Sequence, residues 1–402
     1  MEYYFVSFQS IDNNEARGMV KFLEPILKKI NSHDSIIYYV SSAKNYNGLL
    51  NILEVSPIFK FISKVISFLY HRVSFLKKLS YGKIRLLQEQ LFDYFFSLKI
   101  TKPIILVSSA YLLKSVQKNK KLGGINIFIA GNPDDREIYK IMESEQSKYN
   151  IQIKDAYTYT NRIDFISKTF DSFDHIITFT QSEIETFSKN IDNKKISFLE
   201  AFIVPNKKTF ENISYEKNKK ITFCYIAHTV WLKGLIYLVD AFSKIEGNNA
   251  QLLIGGTINK QVLQYIKSNG LESKNIKLVG HVSDLNKFLR TSHVCIVPSL
   301  LDAGPATIGE ALYCGLPVIT TEGCGSKILI KDGENGFVVP IANSDALAEK
   351  IQWFIDNQDK IEQMGKNAKE TMLNVEHSDQ NEVLANHIKE VMDKLKKEKG
   401  IV

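Results

Sequence analysis

The sequence has few cysteines and no long apolar run. Four cysteines occur in 402 residues, and no two of them are spaced as Cys-x-x-Cys. Disulfide scaffolds and thiol-based metal or redox sites need denser or closer cysteines, so we expect all four to be reduced packing residues. No apolar run reaches the roughly 18 residues that span a bilayer. The opening stretch MEYYFVSFQS has no basic residue to begin a secretory leader. These absences predict a cytoplasmic protein.

One segment of the chain contains no acidic residue. Between Val55 and Gln88 there are seven Lys or Arg and no Asp or Glu. Residues 58–78 have a helical period, with a polar stripe of Lys60, Lys64, Ser67, His71, Ser74 and Lys78. The other face carries Phe59, Ile62, Ile66, Leu69, Val73 and Leu76. Such a helix suits peripheral contact with the anionic inner face of a membrane, and a core helix with a lysine-bearing outer face explains the pattern equally well. The net charge of +7 comes without a nucleic-acid-binding motif, so no nucleic-acid partner is predicted.

Short apolar runs alternate with helical patterns along the whole chain. The second half contains KKITFCYIA, AQLLIGG, NIKLVGH, HVCIVPS, LPVITT and GFVVP, and the first half contains YYFVSF, SIIYYV, KPIILVSS, INIFIA and HIITFT. Runs that are apolar throughout are typical of parallel strands covered by helices on both faces. We expect two doubly wound α/β domains, residues 1–205 and 206–384, with the polar Asn206–Lys220 as linker. A C-terminal helix over 385–402 is placed to pack back on the N-terminal domain.

The stretch SLLDAGPATIGEALYCGLPVITTEGCGS, residues 299–326, combines a strand end, a Gly-Pro break and a short helix. The break at Gly304 and Pro305 predicts a helix that begins near Ala306 or Thr307. A helix start offers unpaired backbone N–H groups and a positive dipole end. With small residues around it, this start has the features of a seat for phosphate or pyrophosphate.

Two carboxylates flank that helix start. Glu310, one turn inside the helix, suits a vicinal diol such as a ribose, because its two oxygens can accept from two hydroxyls. Asp302, before the turn, can accept from hydroxyls beyond the distal phosphate. A ligand that carries a diol, then phosphates and then further hydroxyls is a nucleotide sugar. The plainer interpretation is that Asp302 caps a turn and Glu310 is a solvated residue favoured by the helix dipole.

These residues resemble a known family. The segment LDAGPATIGEALYCGLPVITTEGCGS…IKDGENGFVVP is similar to the donor-binding core of GT-B glycosyltransferases, specifically retaining family 4. That family carries two glutamates separated by seven residues; Glu310 matches the second and Asp302, a shorter acid, stands for the first. The resemblance covers roughly Lys219 to Asn357. It implies a GT-B fold, two Rossmann-like domains that face a central cleft.

The resemblance also implies roles for particular residues. Lys233 and Gly234 in IAHTVWLKG match a pair that holds the pyrophosphate, with His228 where the family has Arg, although His228 is equally explained as a strand-end histidine. The implied donor-binding set is His228, Lys233, Gly234, Gly255, Asp302, Gly304, Pro305, Ala306, Thr307 and Glu310. The catalytic residues among them are Asp302, Glu310 and Lys233. The acceptor side is assigned to Asn13, Arg17, Gly18 and Asn132.

The activity that the resemblance implies is retaining transfer of a sugar from a nucleoside diphosphate to a hydroxyl of a glycan or lipid-linked acceptor, in cell-surface polysaccharide or glycolipid assembly. The chain contains no Asp-x-Asp motif, so we expect no metal and no other cofactor. A sugar-nucleotide epimerase of the same fold and a non-catalytic nucleotide-sugar-binding scaffold remain alternatives.

Overall fold

The computed structural model describes residues 1–12, 15–16, 18–30, 36–44, 51–73, 80–201, 220–247, 249–271, 273–376 and 380–401. The chain divides into two compact units. The first comprises Met1–Phe179, Glu183–Ala201 and Asp379–Val402, and the second comprises Thr180–Ser182 and Phe202–Ser378. No helix in the described part of the chain combines the length and hydropathy of a membrane span.

The first unit is built on a parallel sheet. Its strands are β1 (Glu2–Asp12), β2 (Glu15–Ala16), β3 (Ile36–Lys44), β4 (Asn51–Glu54), β5 (Ile104–Ser108), β6 (Ile125–Ile129), β7 (His175–Thr178) and β8 (Ile196–Phe198). Their order is β4-β3-β1-β5-β6-β7-β8, with the short β2 antiparallel to β1. The helices of this half are α1 (Gly18–Ile30), α2 (Pro57–Arg72), α3 (Tyr81–Ser97), α4 (Leu113–Lys121), α5 (Asp135–Tyr149), α6 (Thr160–Phe170) and α7 (Gln181–Phe187).

The second unit is a six-stranded parallel sheet. Its strands are β9 (Ile221–Ile226), β10 (Ala250–Gly255), β11 (Ile276–Gly280), β12 (Val294–Val297), β13 (Val318–Thr321) and β14 (Gly336–Val339), in the order β11-β10-β9-β12-β13-β14. The remaining helices are α8 (Leu235–Ser243), α9 (Lys260–Ser268), α10 (Leu285–Arg290), α11 (Ala306–Tyr313), α12 (Ser344–Asp356), α13 (Gln358–Glu376) and α14 (Gln380–Glu398). This 3-2-1-4-5-6 order is that of a doubly wound Rossmann sheet.

Each face of the first sheet has its own core. Phe5 of β1 packs in one buried cluster while its neighbours Tyr4 and Val6 pack in the other, as the alternation of side chains along a strand requires. Helix α14 supplies Leu384, Ile388 and other apolar residues to the same cluster as Phe5. Central strands such as β5 (IILVS) are nearly all apolar because both of their faces are covered, and the expectation of two doubly wound α/β domains is confirmed.

The sequence runs predicted as strands are all strands in the structure, and the differences are short elements. The edge strand β4 has the sequence NILE and β8 has three residues, so neither gives an apolar run long enough to recognise. All four cysteines are buried and free. Of the predicted linker, residues 206–219 lie outside the described part of the chain.

Helix α2 shows which side of the basic segment is exposed. It ends at Arg72, and residues 74–79 lie outside the described part. Its hydroxyl residues face inward, since the Gln88 side chain donates to the Ser63 and Ser67 hydroxyl oxygens at 3.1 and 3.0 Å. Phe61 is 69% exposed. The outer face is therefore largely apolar, and the polar stripe of the sequence is divided, since Lys64 is exposed and Ser67 faces α3.

A buried histidine lies near α14 within the first unit. His175 begins β7, is only 4% exposed, and its Nε2 has no hydrogen-bond partner among the described residues. Burial, aided by the positive charge of Lys394 and by His387 on α14, lowers the pKa of His175 to about 4. The folded protein therefore keeps this ring neutral at pH values where an unfolded chain protonates it.

We predict that His175 makes the protein less stable as the pH falls from about 6.5 to 4. The unfolded state binds a proton in this range and the folded state does not, so the free energy of unfolding falls with pH. Urea titrations at pH 7 and pH 5 should show that wild type loses about 2 kcal/mol more than His175→Phe. An equal loss in both proteins would contradict the assignment.

Candidate functional site

The second sheet reverses its winding between β9 and β12. These strands are neighbours, with Cys224 paired to Cys295, yet the chain continues from β9 to β10 on one side and from β12 to β13 on the other. The connections leave the carboxyl ends of the two strands in opposite directions, which opens a crevice where doubly wound folds bind ligands. The residues predicted to bind a donor follow these two strands, except Gly255, which ends the neighbouring β10.

The turn after β9 is fixed against the segment after β12. Trp231–Lys233 form a 3-10 turn that ends at Gly234, whose φ of +68° is left-handed. A Cβ on Gly234 would lie 1.9 Å from the Pro298 carbonyl oxygen. The Leu300 N–H donates to the Leu232 carbonyl at 2.8 Å. Only glycine allows this close approach, and it brings Lys233 over the end of β12.

Lys233 and Asp302, predicted from different parts of the sequence, form an ion pair. The Lys233 Nζ contacts Asp302 Oδ2, and the Ser299 hydroxyl donates to the same oxygen at 3.4 Å. Burial works against the charged ammonium, but the Asp302 carboxylate outweighs it and raises the pKa of Lys233. The lysine side chain is 31% exposed. The site therefore holds a fixed positive charge that a ligand can still reach.

The backbone around Asp302 is held from three directions. Its N–H donates to the Gly323 carbonyl, and its own carbonyl accepts from the Gly325 N–H, both at 2.9 Å. The Ser182 hydroxyl, which belongs to the second unit, also donates to the Asp302 carbonyl, at 2.8 Å. A Cβ on Gly325 would lie 1.6 Å from the Ala303 carbonyl oxygen. The turn into α11 is therefore rigidly positioned.

Helix α11 begins at Ala306, where the sequence predicted. Its N-cap residue is Pro305, which has no side-chain oxygen to accept from the first amides, and the first turn contains no acidic residue. Gly304, Pro305, Ala306 and Thr307 are all partly exposed. Helix starts with these properties have backbone N–H groups and a positive dipole end available to an anion.

Glu310 lies four residues after Ala306 and therefore on the same helix face, one turn further in. It is partly exposed. Burial, together with the negative charge of Glu310, raises the pKa of Cys314 to about 12. Glu310 thus lies near Cys314, at the other end of α11, and one turn from the helix start.

His228 and Gly255 occupy the same carboxyl edge. Gly255 ends β10, and the exposed His228 ring follows β9, with Nδ1 2.6 Å from the Thr257 hydroxyl. Thr257 orients this ring and was not predicted. The double glycine before it, in LLIGGT, was the available signal, because Gly256 has a φ of +94° and turns the chain toward His228.

The residues assigned to an acceptor belong to the first unit or lie outside the described residues. Asn13 and Arg17 are outside. Gly18 begins α1, and Asn132 is exposed in the turn after β6. The acceptor assignment stays a prediction.

Among the residues that the structure describes, no three His, Cys, Asp or Glu side chains are grouped as a metal site.

Residues 206–371 match the family model described as glycosyl transferases group 1. The matched segment contains every predicted donor-binding residue. Capsular polysaccharide biosynthesis glycosyltransferase CapM of Staphylococcus aureus is 29% identical over 180 residues, 44% of this chain and 47% of CapM. D-rhamnosyltransferase WbpZ of Pseudomonas aeruginosa is 30% identical over 152 residues, 36% of this chain and 39% of WbpZ. The chain thus spans less than half the length of these relatives.

Solved structures resemble the chain over nearly its full length. The Anabaena protein Alr3699/HepE, crystallised with UDP, has a TM-score of 0.61 at 12% identity and covers 98% of this chain and 100% of its own. WaaG, a glycosyltransferase involved in lipopolysaccharide biosynthesis, has a TM-score of 0.64 at 14% identity and covers 96% and 99%. At such low identity the likeness shows the fold, two Rossmann-like domains of the GT-B class.

We predict that Gly325→Ala destabilises the second unit by about 3 kcal/mol, because the new methyl group overlaps the Ala303 carbonyl. Gly333→Ala is the matched control: its φ is +76° but nothing lies within 4 Å of the added Cβ, so about 1 kcal/mol is expected. Denaturant titration measures both losses. Equal losses would show that the turn at Asp302 does not depend on this close approach.

Proposed function

We propose that the protein is a retaining glycosyltransferase that moves a sugar from a nucleoside diphosphate to a hydroxyl of a glycan or lipid-linked acceptor. The observation that supports this most directly is the uncapped start of α11 beside Lys233, at the point where the sheet reverses its winding. A positive helix end and a lysine together suit a diphosphate. The match of residues 206–371 to glycosyl transferases group 1 lends independent support.

In the proposed complex the diphosphate lies against the backbone amides of Ala306 and Thr307 and contacts Lys233. Glu310 accepts from the ribose hydroxyls, and Asp302 accepts from hydroxyls of the sugar. The exposed His228 ring, held by Thr257, adds a donor at the same edge. UDP is the nucleotide in the Anabaena complex, so UDP-sugars are the first donors to examine.

The proposed reaction breaks the bond between the anomeric carbon and the distal phosphate oxygen. A bond from the acceptor oxygen forms on the same face of the sugar, and the acceptor proton passes to the released phosphate. No protein nucleophile is needed. Lys233 and the α11 amides stabilise the negative charge that grows on the leaving diphosphate, which is where fixed charges lower a barrier most.

We propose that the acceptor binds the first unit, through Asn13, Arg17, Gly18 and Asn132, on the cytoplasmic side of the membrane. Capsular polysaccharide and lipopolysaccharide synthesis are named in the descriptions of CapM and WaaG. A role in cell-surface polysaccharide or glycolipid assembly follows as the proposed setting.

A panel of nucleotide sugars tests the proposal. Calorimetry with UDP-, GDP- and dTDP-sugars should give heat for one base, and that donor should release its nucleoside diphosphate when a hydroxyl acceptor is present. Conversion of the donor into an isomeric sugar nucleotide would indicate an epimerase. Binding without turnover on any acceptor would indicate a scaffold, and no heat from any donor would refute the site.

Two substitutions should remove transfer while leaving the fold intact. Lys233→Met is expected to lower kcat/KM by at least about 100-fold, because it removes the charge that stabilises the leaving group. Glu310→Gln should weaken donor binding about 10- to 100-fold, since a charge-assisted bond to the ribose is lost. The turnover assay is accompanied by circular dichroism.

Matched controls separate chemistry from stability. Lys366→Met and Glu349→Gln change side chains that are 66% and 72% exposed, and both should keep wild-type turnover. Lys233→Met leaves Asp302 without its cation, so Lys233→Met/Asp302→Asn should regain stability but not transfer. Wild-type kcat/KM in either site variant would remove the assignment.

We also propose that transfer needs no divalent metal, since Lys233 and the α11 amides would neutralise the diphosphate. Turnover is expected to be unchanged in excess EDTA. Complete loss that manganese restores would contradict the metal-independent reaction without affecting the assignment of the donor site.

A further inference from the structure

The outward face of α2 is apolar along the length of the helix. Its most exposed large side chains are Phe61 at 69%, Ile58 at 60% and Phe68 at 59%. They recur every three or four residues together with Val65, Leu69 and Val73, and so form one stripe on the helix surface. A soluble protein rarely exposes so continuous an apolar face without a partner for it.

The inward face of the same helix carries both apolar and hydroxyl side chains. Ser63 and Ser67 receive hydrogen bonds from Gln88 of α3, and Lys60 turns back to Glu54 at 2.5 Å. Phe59 is the fully buried aromatic residue on this side. The helix thus satisfies its hydroxyl groups against the protein, and it carries apolar side chains on its outward side as well as on its inward side.

Positive charges border the apolar stripe. Lys64 and Arg72 are exposed on the same face, and the Arg72 guanidinium lies 5.6 Å from the centre of the Phe68 ring. The sequence from Val55 to Gln88 has seven cations and no acid. Negative charge on the partner that covers the stripe would therefore favour its binding.

We propose that this face of α2, defined by Ile58, Phe61, Lys64, Val65, Phe68 and Arg72, docks on an anionic lipid bilayer. The aromatic and aliphatic side chains enter the boundary between headgroups and acyl chains, and the two cations contact lipid phosphates. A bilayer fits better than a protein partner, because one straight helix presents both features in a single plane and its charge has one sign.

Vesicle flotation tests the proposal directly. The full chain should float with vesicles of roughly three parts phosphatidylcholine to one part phosphatidylglycerol, and not with phosphatidylcholine alone. Phe61→Gln/Phe68→Gln should lower the bound fraction about tenfold or more, since each loses apolar area in the interface. Lys64→Gln and Arg72→Gln should each lower affinity about fivefold, and added salt should remove that difference.

Controls use exposed side chains elsewhere. Leu98→Gln replaces an apolar residue that is 54% exposed at the end of α3, and Lys366→Gln removes a cation on α13; neither should change flotation. Thermal unfolding must show that all variants fold. Binding that survives the α2 substitutions, or equal binding to neutral vesicles, would overturn the proposal.

Substitution of one residue of α2 by tryptophan shows whether this face of the helix enters the bilayer. The natural tryptophans, Trp231 and Trp353, are buried or partly buried in the second unit. Phe61→Trp should therefore give emission that shifts to the blue on anionic vesicles and is quenched by brominated lipid. If Phe61→Gln instead converts a dimer into a monomer and no vesicle binding occurs, the face joins two copies of the chain and the proposal is wrong.

This inference does not rest on sugar transfer. Flotation and tryptophan emission are measured without donor or acceptor, so the donor-binding variant Lys233→Met should bind vesicles as wild type does. Conversely, the α2 variants should retain the heat of nucleotide-sugar binding.

Discussion

The candidate site depends on the contact between two turns at the carboxyl edge of the second sheet. Because β9 and β12 are neighbours, the backbone at Gly234 can lie against the Pro298 carbonyl, and the Leu300 N–H can reach Leu232. That contact joins a lysine from one connection to an aspartate from the other. Without it, an ammonium and a helix start would be separate features of the surface; with it, they lie at one edge of the sheet.

At this crevice the charge of Lys233 is partly neutralised by Asp302. Asp302 keeps Lys233 charged despite its partial burial, because the carboxylate outweighs the cost of desolvation. The start of α11 is the second positive element of the crevice, because Pro305 cannot cap the helix and its first turn contains no acidic residue. In the proposed donor complex the diphosphate meets one shared cation and one helix end, and Glu310 lies one turn deeper in the helix.

Sequence patterns were most informative where burial is complete. Strands covered on both faces, such as β9 with its sequence ITFCYI, are apolar throughout and were recognised directly. The start of α11 was predicted from its Gly-Pro break. The edge strand β4 was not, because partial exposure mixes its residue types. Contacts between distant segments, such as Ser182 with Asp302 or Thr257 with His228, leave no local pattern at all.

Helix α2 shows why periodicity alone does not decide which face is buried. Apolar residues occur on more than one side of it, so the sequence allowed a polar outer stripe. Gln88, 21 residues after Ser67, selects the orientation by satisfying two hydroxyls that would otherwise face α3 without a partner. These hydrogen bonds hold Ser63 and Ser67 on the side of α3, and Phe61 and Phe68 remain exposed on the other side of the helix. The segment from Val55 to Gln88 is cationic and contains no acid, so the partner proposed for this exposed apolar face carries negative charge.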